Sequence, residues 1–399
     1  PETKFLDKTI VVHPDDERYK ELVGREFDVE WIEGPVRAHV IADPVADKDF
    51  GSGAMTITPG HSFEDFELAQ KYKLPVEKII DEDGNLTEHA GGFALKNARE
   101  SRAGIVAHLQ EKGLVDHIDE NYEHNLSVCY RCDTPVEPLP SIQWFVAVDK
   151  TIEGRKKSLK DLGREAVESR RISIVPERFE KVYIQWITNL HDWCISRQIV
   201  FGHRLPVYYC EKESGGCGEV VVSSEEPTEC PKCKNTNLRH DEDTLDTWFS
   251  SGLWTFSTLG WPENAEEHHG KIKKKGDLAT FHPTSVMETG YDILPLWVAR
   301  MVLMSEYALH EEPFKTVYFH GLVLDENRKK MSKSNEETLI DPLDVIPEYG
   351  ADALRISMLV GVTPGNDLLL GKQRIASYRN FINKLWNISR FILQFSGED

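Results

Sequence analysis

Lys330-Met331-Ser332-Lys333-Ser334 puts two ammonium groups and two hydroxyls on a polar loop just after the strand-like run 316–321. Cations on a loop able to close over phosphate oxygens would neutralise the charge that builds there during a displacement, and the hydroxyls would add donors. Left in water, the same residues with Arg328 and Lys329 would be an ordinary solvated basic turn. Thiols form the second chemistry-bearing group. Cys230 and Cys233 flank Pro-Lys, a tight turn that lets two thiolates grip one tetrahedral Zn²⁺. Cys210 and Cys217 can complete a four-sulfur site if residues 211–216 loop out; the competing reading is reduced, unliganded cysteines. Four thiolates leave no position for water, so such a metal would be structural. Cys129 and Cys132 repeat the spacing without a second pair nearby, and read equally as half of another site or as plain thiols.

Composition bounds what these groups can serve. The 399 residues suffice for two or three domains. Lys plus Arg is 47 against 67 for Asp plus Glu, a net charge of -20, which argues against a protein that holds a polyanion by bulk charge. Nucleic acid would have to meet local basic patches. Seven cysteines, an odd number with two Cys-x-x-Cys pairs, favour a reducing compartment and metal ligation over a disulfide framework. No apolar run approaches the roughly 20 residues of a membrane span, and no signal peptide pattern is visible.

The elements that must position these groups follow from periodicity. Residues 1–125 alternate short β-rich pieces (9–13, 30–41, 54–58) with helices at 63–72 and 98–112, an α+β or barrel-like module. The Pro-rich stretch 128–148 reads as a return strand within a connection spanning 126–180. An amphipathic helix at 177–190 leads into 181–370, where come a Gly- and Cys-containing insert at 208–240, a strand near 285–288, a helix at 293–309, a strand ending at His320 and a helix at 351–360. Alternating strand and helix argue for a parallel α/β sheet, whose ligands sit at the carboxyl ends of strands. From 371 to 399, Ile375, Tyr378, Ile382, Leu385 and Ile392 mark a long amphipathic helix.

With these segments read, the resemblance becomes specific. Lys330 to Ser334 resembles the second signature of class I aminoacyl-tRNA synthetases. Asp192-Trp193-Cys194-Ile195-Ser196-Arg197-Gln198, Gly202-His203-Arg204-Leu205-Pro206, Asp246-Thr247-Trp248-Phe249-Ser250-Ser251, Trp297-Val298-Ala299-Arg300-Met301 and Arg379-Asn380-Phe381-Ile382-Asn383-Lys384-Leu385-Trp386-Asn387 resemble the valyl branch of that family. The isoleucyl branch usually differs after Trp248-Phe249 and over 293–298. The resemblance implies the second half of a Rossmann-like catalytic domain (181–370) with a zinc-ribbon-like insert, part of an editing domain (1–125) and the first helix of an anticodon-binding domain (371–399). It implies ATP with Mg²⁺, valine and tRNA(Val) as partners, a structural Zn²⁺, a monomer and a cytoplasmic setting. Lys330, Ser332, Lys333 and Ser334 would be catalytic. His320, Gly321, Met331 and Lys333 would face ATP, and Trp248, Trp297 and Asp292 would line the amino-acid pocket. Two rigid indoles would make a narrow slot for a branched side chain, although core packing is the ordinary fate of tryptophan.

A slot built for valine cannot strongly exclude isosteric threonine, a case that valyl-tRNA synthetases themselves exemplify, so a second, hydrolytic site is expected. The segment 51–61 leading to Asp65, with Pro1-Glu2-Thr3, resembles that editing site. The resemblance implies that Asp65 binds the α-ammonium, that Thr3 and Thr58 contact the threonyl moiety or terminal adenosine, and that His61 is a nearby polar contact. Thr56, commonly Lys, and Ser62, commonly Asp, depart from the pattern and bear on editing efficiency. The first class I signature, His-Ile-Gly-His, is absent from these residues. An internal piece of the parent enzyme, inactive in activation on its own, is therefore expected. The alternatives are an isoleucyl enzyme, a free-standing editing hydrolase and a zinc-ribbon tRNA-binding protein.

Overall fold

A computed structural model describes residues 1–123, 125–129, 132–268, 270–331 and 340–395. They divide into two compact units, Pro1–Ile142 and Gln143–Asp399, with the division inside the Pro-rich connection. Pro135, Pro138 and Pro140 lack the N–H a ladder needs, and among the described residues of the expected return strand the pairing is an isolated bridge between Val128 and Pro135 and the short strand Phe145–Val146 against Trp193–Cys194.

The first unit is built on a four-stranded sheet in the order Glu26–Trp31, Gly34–Ala42, Thr9–Val12, Ala54–Thr56. The β-rich stretch 30–41 is parts of two strands. Trp31 pairs with Gly34, whose φ of 127° turns the chain, while Ile32 drops into the core at 1% exposure. Burying one isoleucine outweighs extending the strand. The helices fall where expected. Phe63–Tyr72 begins at Ser62, whose side chain accepts from the Asp65 amide, and Ala98–Glu111 begins at Asn97, which caps Arg99 and Glu100.

The second unit centres on a parallel sheet in the order Thr284–Gly290, Phe314–His320, Ser173–Val175. Packed on it are the helices Leu159–Glu168, Arg178–Thr188 and Ala299–Ala308, around a core that includes Ile174, Tyr183, Ile187, Val302, Phe314, Val317 and Phe319. Leu159–Glu168 escaped the sequence reading although Ser158 and Asp161 form a reciprocal capping box. The helix expected at 293–309 is three pieces: a 3₁₀ turn Tyr291–Ile293, a π turn Leu294–Val298 and the α-helix Ala299–Ala308. Pro295 has no N–H to give the first turn, and a π turn tolerates that gap while rotating the side chains after it. The last helix, Lys372–Phe395, buries Ile375 and leaves Trp386, Phe391 and Leu393 exposed. Among the described residues no helix is long and apolar enough to cross a membrane.

Candidate active site and metal centre

Gly290 and His320 are register partners at the carboxyl ends of adjacent parallel strands, so the chain leaves the sheet twice at one place, as 291–292 and as 321–322. A third segment crosses there. A Cβ built on Gly321 would lie 1.8 Å from the Asn366 carbonyl oxygen, so only glycine lets the two backbones approach. Asp367 accepts from the Leu322 amide at 2.8 Å and from the Tyr291 hydroxyl at 2.9 Å. His320 donates through Nδ1 to the Gly321 carbonyl oxygen at 2.7 Å, which leaves Nε2 directed elsewhere, 3.6 Å from Glu288 Oε1.

Lys330 reaches this place through a tight turn. Buried Asp325 accepts from the amides of Asn327 and Lys329, Arg328 takes a φ of 64°, and the chain returns so that Lys330 bridges Leu324. Lys330 Nζ then lies 2.7 Å from Asp292 Oδ2, an exposed ion pair. Met331 packs against the cluster of Val345, Leu354 and Leu370. Ser332, Lys333 and Ser334 lie outside the described residues.

The two tryptophans sit on touching segments. Trp248 lies in the first turn of the short helix Thr247–Gly252, where Asp246 Oδ1 accepts its amide at 3.3 Å. Trp297, in the π turn, donates its indole N–H to the Ser251 carbonyl oxygen at 3.0 Å, which pins it to that same helix. Its ring neighbour is Trp254, with centroids 6.2 Å apart. Asp246 also pairs with Arg197 at 3.0 Å and accepts from the Trp193 indole at 3.0 Å. Arg300 lies 4.1 Å from the Trp193 centroid and 5.0 Å from that of Trp186, and burial pulls its pKa down to about 10. Neither Asp246 nor Arg300 was singled out from the sequence as a site residue. The readable signal was Asp246 as a helix cap.

In the first unit, Thr3, Asp7 and Thr58 line a cavity of about 40 Å³ together with Thr9, Ile57 and Ile79. Asp65 accepts the Thr58 amide at 2.7 Å and stands 3.4 Å from its hydroxyl, so one of its oxygens already holds the wall in place. His61 is consumed by the backbone: Nε2 accepts from the amides of Ile79 at 2.9 Å and Ile80 at 3.2 Å, which leaves Nδ1 to donate to the Pro138 oxygen. Burial holds its pKa below the usual histidine range. Asp7 escaped the sequence reading. Its buried carboxyl accepts no hydrogen bond of normal geometry, and burial pushes its pKa up to about 6 although Lys4 Nζ lies 3.1 Å away and pulls it down.

The four cysteines of the insert converge. Cys210 lies 3.5 Å from Cys233 and 4.0 Å from Cys217, and Cys217 lies 3.8 Å from Cys230, sulfur to sulfur. A tetrahedron with metal–sulfur bonds of about 2.3 Å has edges of about 3.8 Å, so the donor set fits one tetrahedral ion. The residues between Cys210 and Cys217 do loop out, through a 3₁₀ turn at Lys212–Ser214 closed by Gly215 at φ 76°. Amide hydrogen bonds, the Cys233 N–H foremost, hold the Cys230 thiol down to about 7, while burial pushes Cys217 up to about 11. The Cys230 turn has the Cys230 amide on the Asn235 carbonyl and the Lys234 amide on the Cys230 carbonyl, with Lys234 at φ 65°. Cys129, Thr134 and Asp133 (φ 55°) repeat these two bonds on the same Cys-x-x-Cys spacing.

Compared with known proteins, residues 21–370 match the family described as tRNA synthetases class I (I, L, M and V). The chain belongs to that family. Valine–tRNA ligase of Carboxydothermus hydrogenoformans is 46% identical to this class I chain over 393 residues, covering 98% of the chain and 42% of the relative. That of Dehalococcoides mccartyi is 46% identical over 399 residues, covering 100% and 42%, and that of Thermotoga maritima is 43% identical over 393 residues, covering 98% and 42%. This class I chain thus spans about 42% of the length of the curated relatives it matches.

Proposed function

We propose that the chain carries the pyrophosphate-releasing half of the activation site, and part of the editing site, of a valine–tRNA ligase. ATP and valine give valyl-adenylate and pyrophosphate, and the valyl group then passes to the 3′ end of tRNA(Val). The observation that carries this reading is the meeting of 291–292, 321–322 and Lys330 at two parallel strand ends, in a chain 46% identical to enzymes named for valine. The carboxylate of Asp292 holds a cation in this structure, Lys330, and the α-ammonium of valine is the same kind of partner. Once that ammonium takes Asp292, Lys330 is released toward the phosphates, where with Lys333 it offsets the charge on departing pyrophosphate. Trp248 and Trp297, held to one helix, bound the slot for the isopropyl group. ATP enters with Mg²⁺, as class I synthetases generally take it.

The insert's four thiolates would hold Zn²⁺, which supplies a rigid cross-link and no chemistry, since no coordination position stays open. The cavity of about 40 Å³ between Thr3 and Thr58 would have to widen to receive a threonyl ester for hydrolysis, with Asp65, behind Thr58, placing that wall and offering its second oxygen to the α-ammonium. Charging assays on the full-length polypeptide test both parts. Wild-type protein should load tRNA(Val) with valine and not with threonine. Asp65→Ala should keep valine loading near wild type while threonyl-tRNA(Val) accumulates. Asp65→Asn, which keeps an acceptor for the Thr58 amide, should separate loss of charge from loss of the wall. No mischarged product from either variant removes Asp65 from editing, and no valylation by wild type removes the ligase reading.

A further inference from the structure

Three segments meet at the strand ends, and one exposed side chain ties them. Asp367 accepts from the Leu322 amide at 2.8 Å and from the Tyr291 hydroxyl at 2.9 Å through Oδ1 and 3.1 Å through Oδ2. Its own backbone is fixed on both sides: the Gly365 amide donates to the Phe319 carbonyl oxygen at 2.7 Å, and the Leu368 amide to that of Leu322 at 2.8 Å. Arg178 adds bonds to the Gly365 carbonyl oxygen at 2.6 Å and to Asn366 Oδ1 at 2.9 Å. Tyr291 is equally constrained, its ring stacked on Phe179 with centroids 5.2 Å apart, and Phe179 packs edge-on to Phe319 at 5.3 Å. Burial and the neighbouring Asp367 raise the Tyr291 phenol's pKa, so it stays a neutral donor.

We infer that Asp367 is a positioning residue that locks the amino-acid side of the site, Tyr291-Asp292, to the nucleotide side, His320-Gly321-Leu322. The inference rests on the activation reading given above. An ionised acceptor suits the task, because two neutral donors on separate segments bond more strongly to a carboxylate than to each other or to a carbonyl. Its exposure also fits. A solvated carboxylate contributes little to the core, and the donors it releases on mutation can turn to water, so the fold survives while the register between Asp292 and Gly321 loosens. Activation needs valine's carboxylate and the α-phosphate of ATP in line, so a small loss of register falls on the rate of the step.

Valine-dependent ATP–pyrophosphate exchange by the full-length polypeptide, with thermal midpoints measured beside it, tests this. Asp367→Ala should lower kcat on the order of tenfold or more and raise KM for both ATP and valine, with the midpoint nearly unchanged. A contact to one substrate would raise that KM alone. Asp367→Asn, which keeps a carbonyl acceptor, should recover part of the loss. Tyr291→Phe should be slow by itself and add little in the Asp367→Ala background, since both act through one link. Wild-type kinetics in Asp367→Ala, full additivity with Tyr291→Phe, or a loss that tracks a fallen midpoint overturns the positioning role. If the alanine variant does not fold, the Asn and Phe variants decide by the same criteria. A wild-type protein silent with valine overturns the ligase reading and this inference together, whereas an active wild type with unaffected variants overturns the inference alone.

Discussion

Gly321→Ala should reduce valine-dependent pyrophosphate exchange by about two orders of magnitude. The added methyl would sit 1.8 Å from the Asn366 oxygen, 2.2 Å from its carbonyl carbon and 2.6 Å from the Asp367 amide nitrogen. All three are backbone atoms. They cannot swing aside as a flexible side chain would, because the segment is bonded to Phe319 on one side of them and to Leu322 on the other. One backbone must retreat by something on the order of an ångström, and misplacement of that size at a reacting centre is enough for about a hundredfold. Overpacking should also destabilise the unit by roughly 1–3 kcal/mol. Exchange kinetics below the thermal midpoint separate the two effects. A Gly321→Ala protein with wild-type kcat would mean that 366–367 does not press on the strand end.

Cys230→Ser should remove one equivalent of bound zinc and open the insert to proteolysis. Its sulfur and the other three lie within 4.8 Å of one another, and the small sheet around them, Val220–Val222, Val207–Tyr209 and Arg239–His240, has two or three residues per strand. Ladders that short do not hold themselves together in water. A metal held by the four thiolates would therefore be the main constraint on the loops 211–219 and 223–238, and structural zinc sites contribute on the order of 10 kcal/mol to the folding of small modules. Elemental analysis of wild type and variant, with limited proteolysis of both, checks it. Equal metal content and equal resistance would contradict the assigned ligand set. Because the cluster lies in an insert, valine activation should fall far less than it does in Gly321→Ala.

The helices 63–72 and 98–112 were legible, and each starts on a side-chain cap, Ser62 and Asn97; the helix at 351–360 was legible without one, since it follows Gly350. The β-rich stretch 30–41 was legible as strand but not the turn inside it, where Ile32 is buried between Trp31 and Gly34. Short elements such as Ser173–Val175 carry too few residues to show a period, yet this one completes the parallel sheet. The π turn at 294–298 needed tertiary packing to appear, and with it the bond from Trp297 to Ser251. In the sites, residues of distinctive type were visible by spacing, as the insert cysteines show. Asp367, Asp246, Arg300 and Asp7 were hidden for the opposite reason. Each is a common residue whose role comes from partners 45 or more positions away or from burial, as when Asp367 meets Leu322 and Tyr291.

The central claim is that the strand-end site activates valine. Amino-acid-dependent ATP–pyrophosphate exchange by the full-length polypeptide, run in parallel with valine, isoleucine and leucine, tests it most directly. Exchange that valine supports with a kcat/KM at least about a hundredfold above that for isoleucine is the predicted result, since the slot must crowd out one extra methylene. Equal or greater exchange with isoleucine, or none with valine, would contradict it.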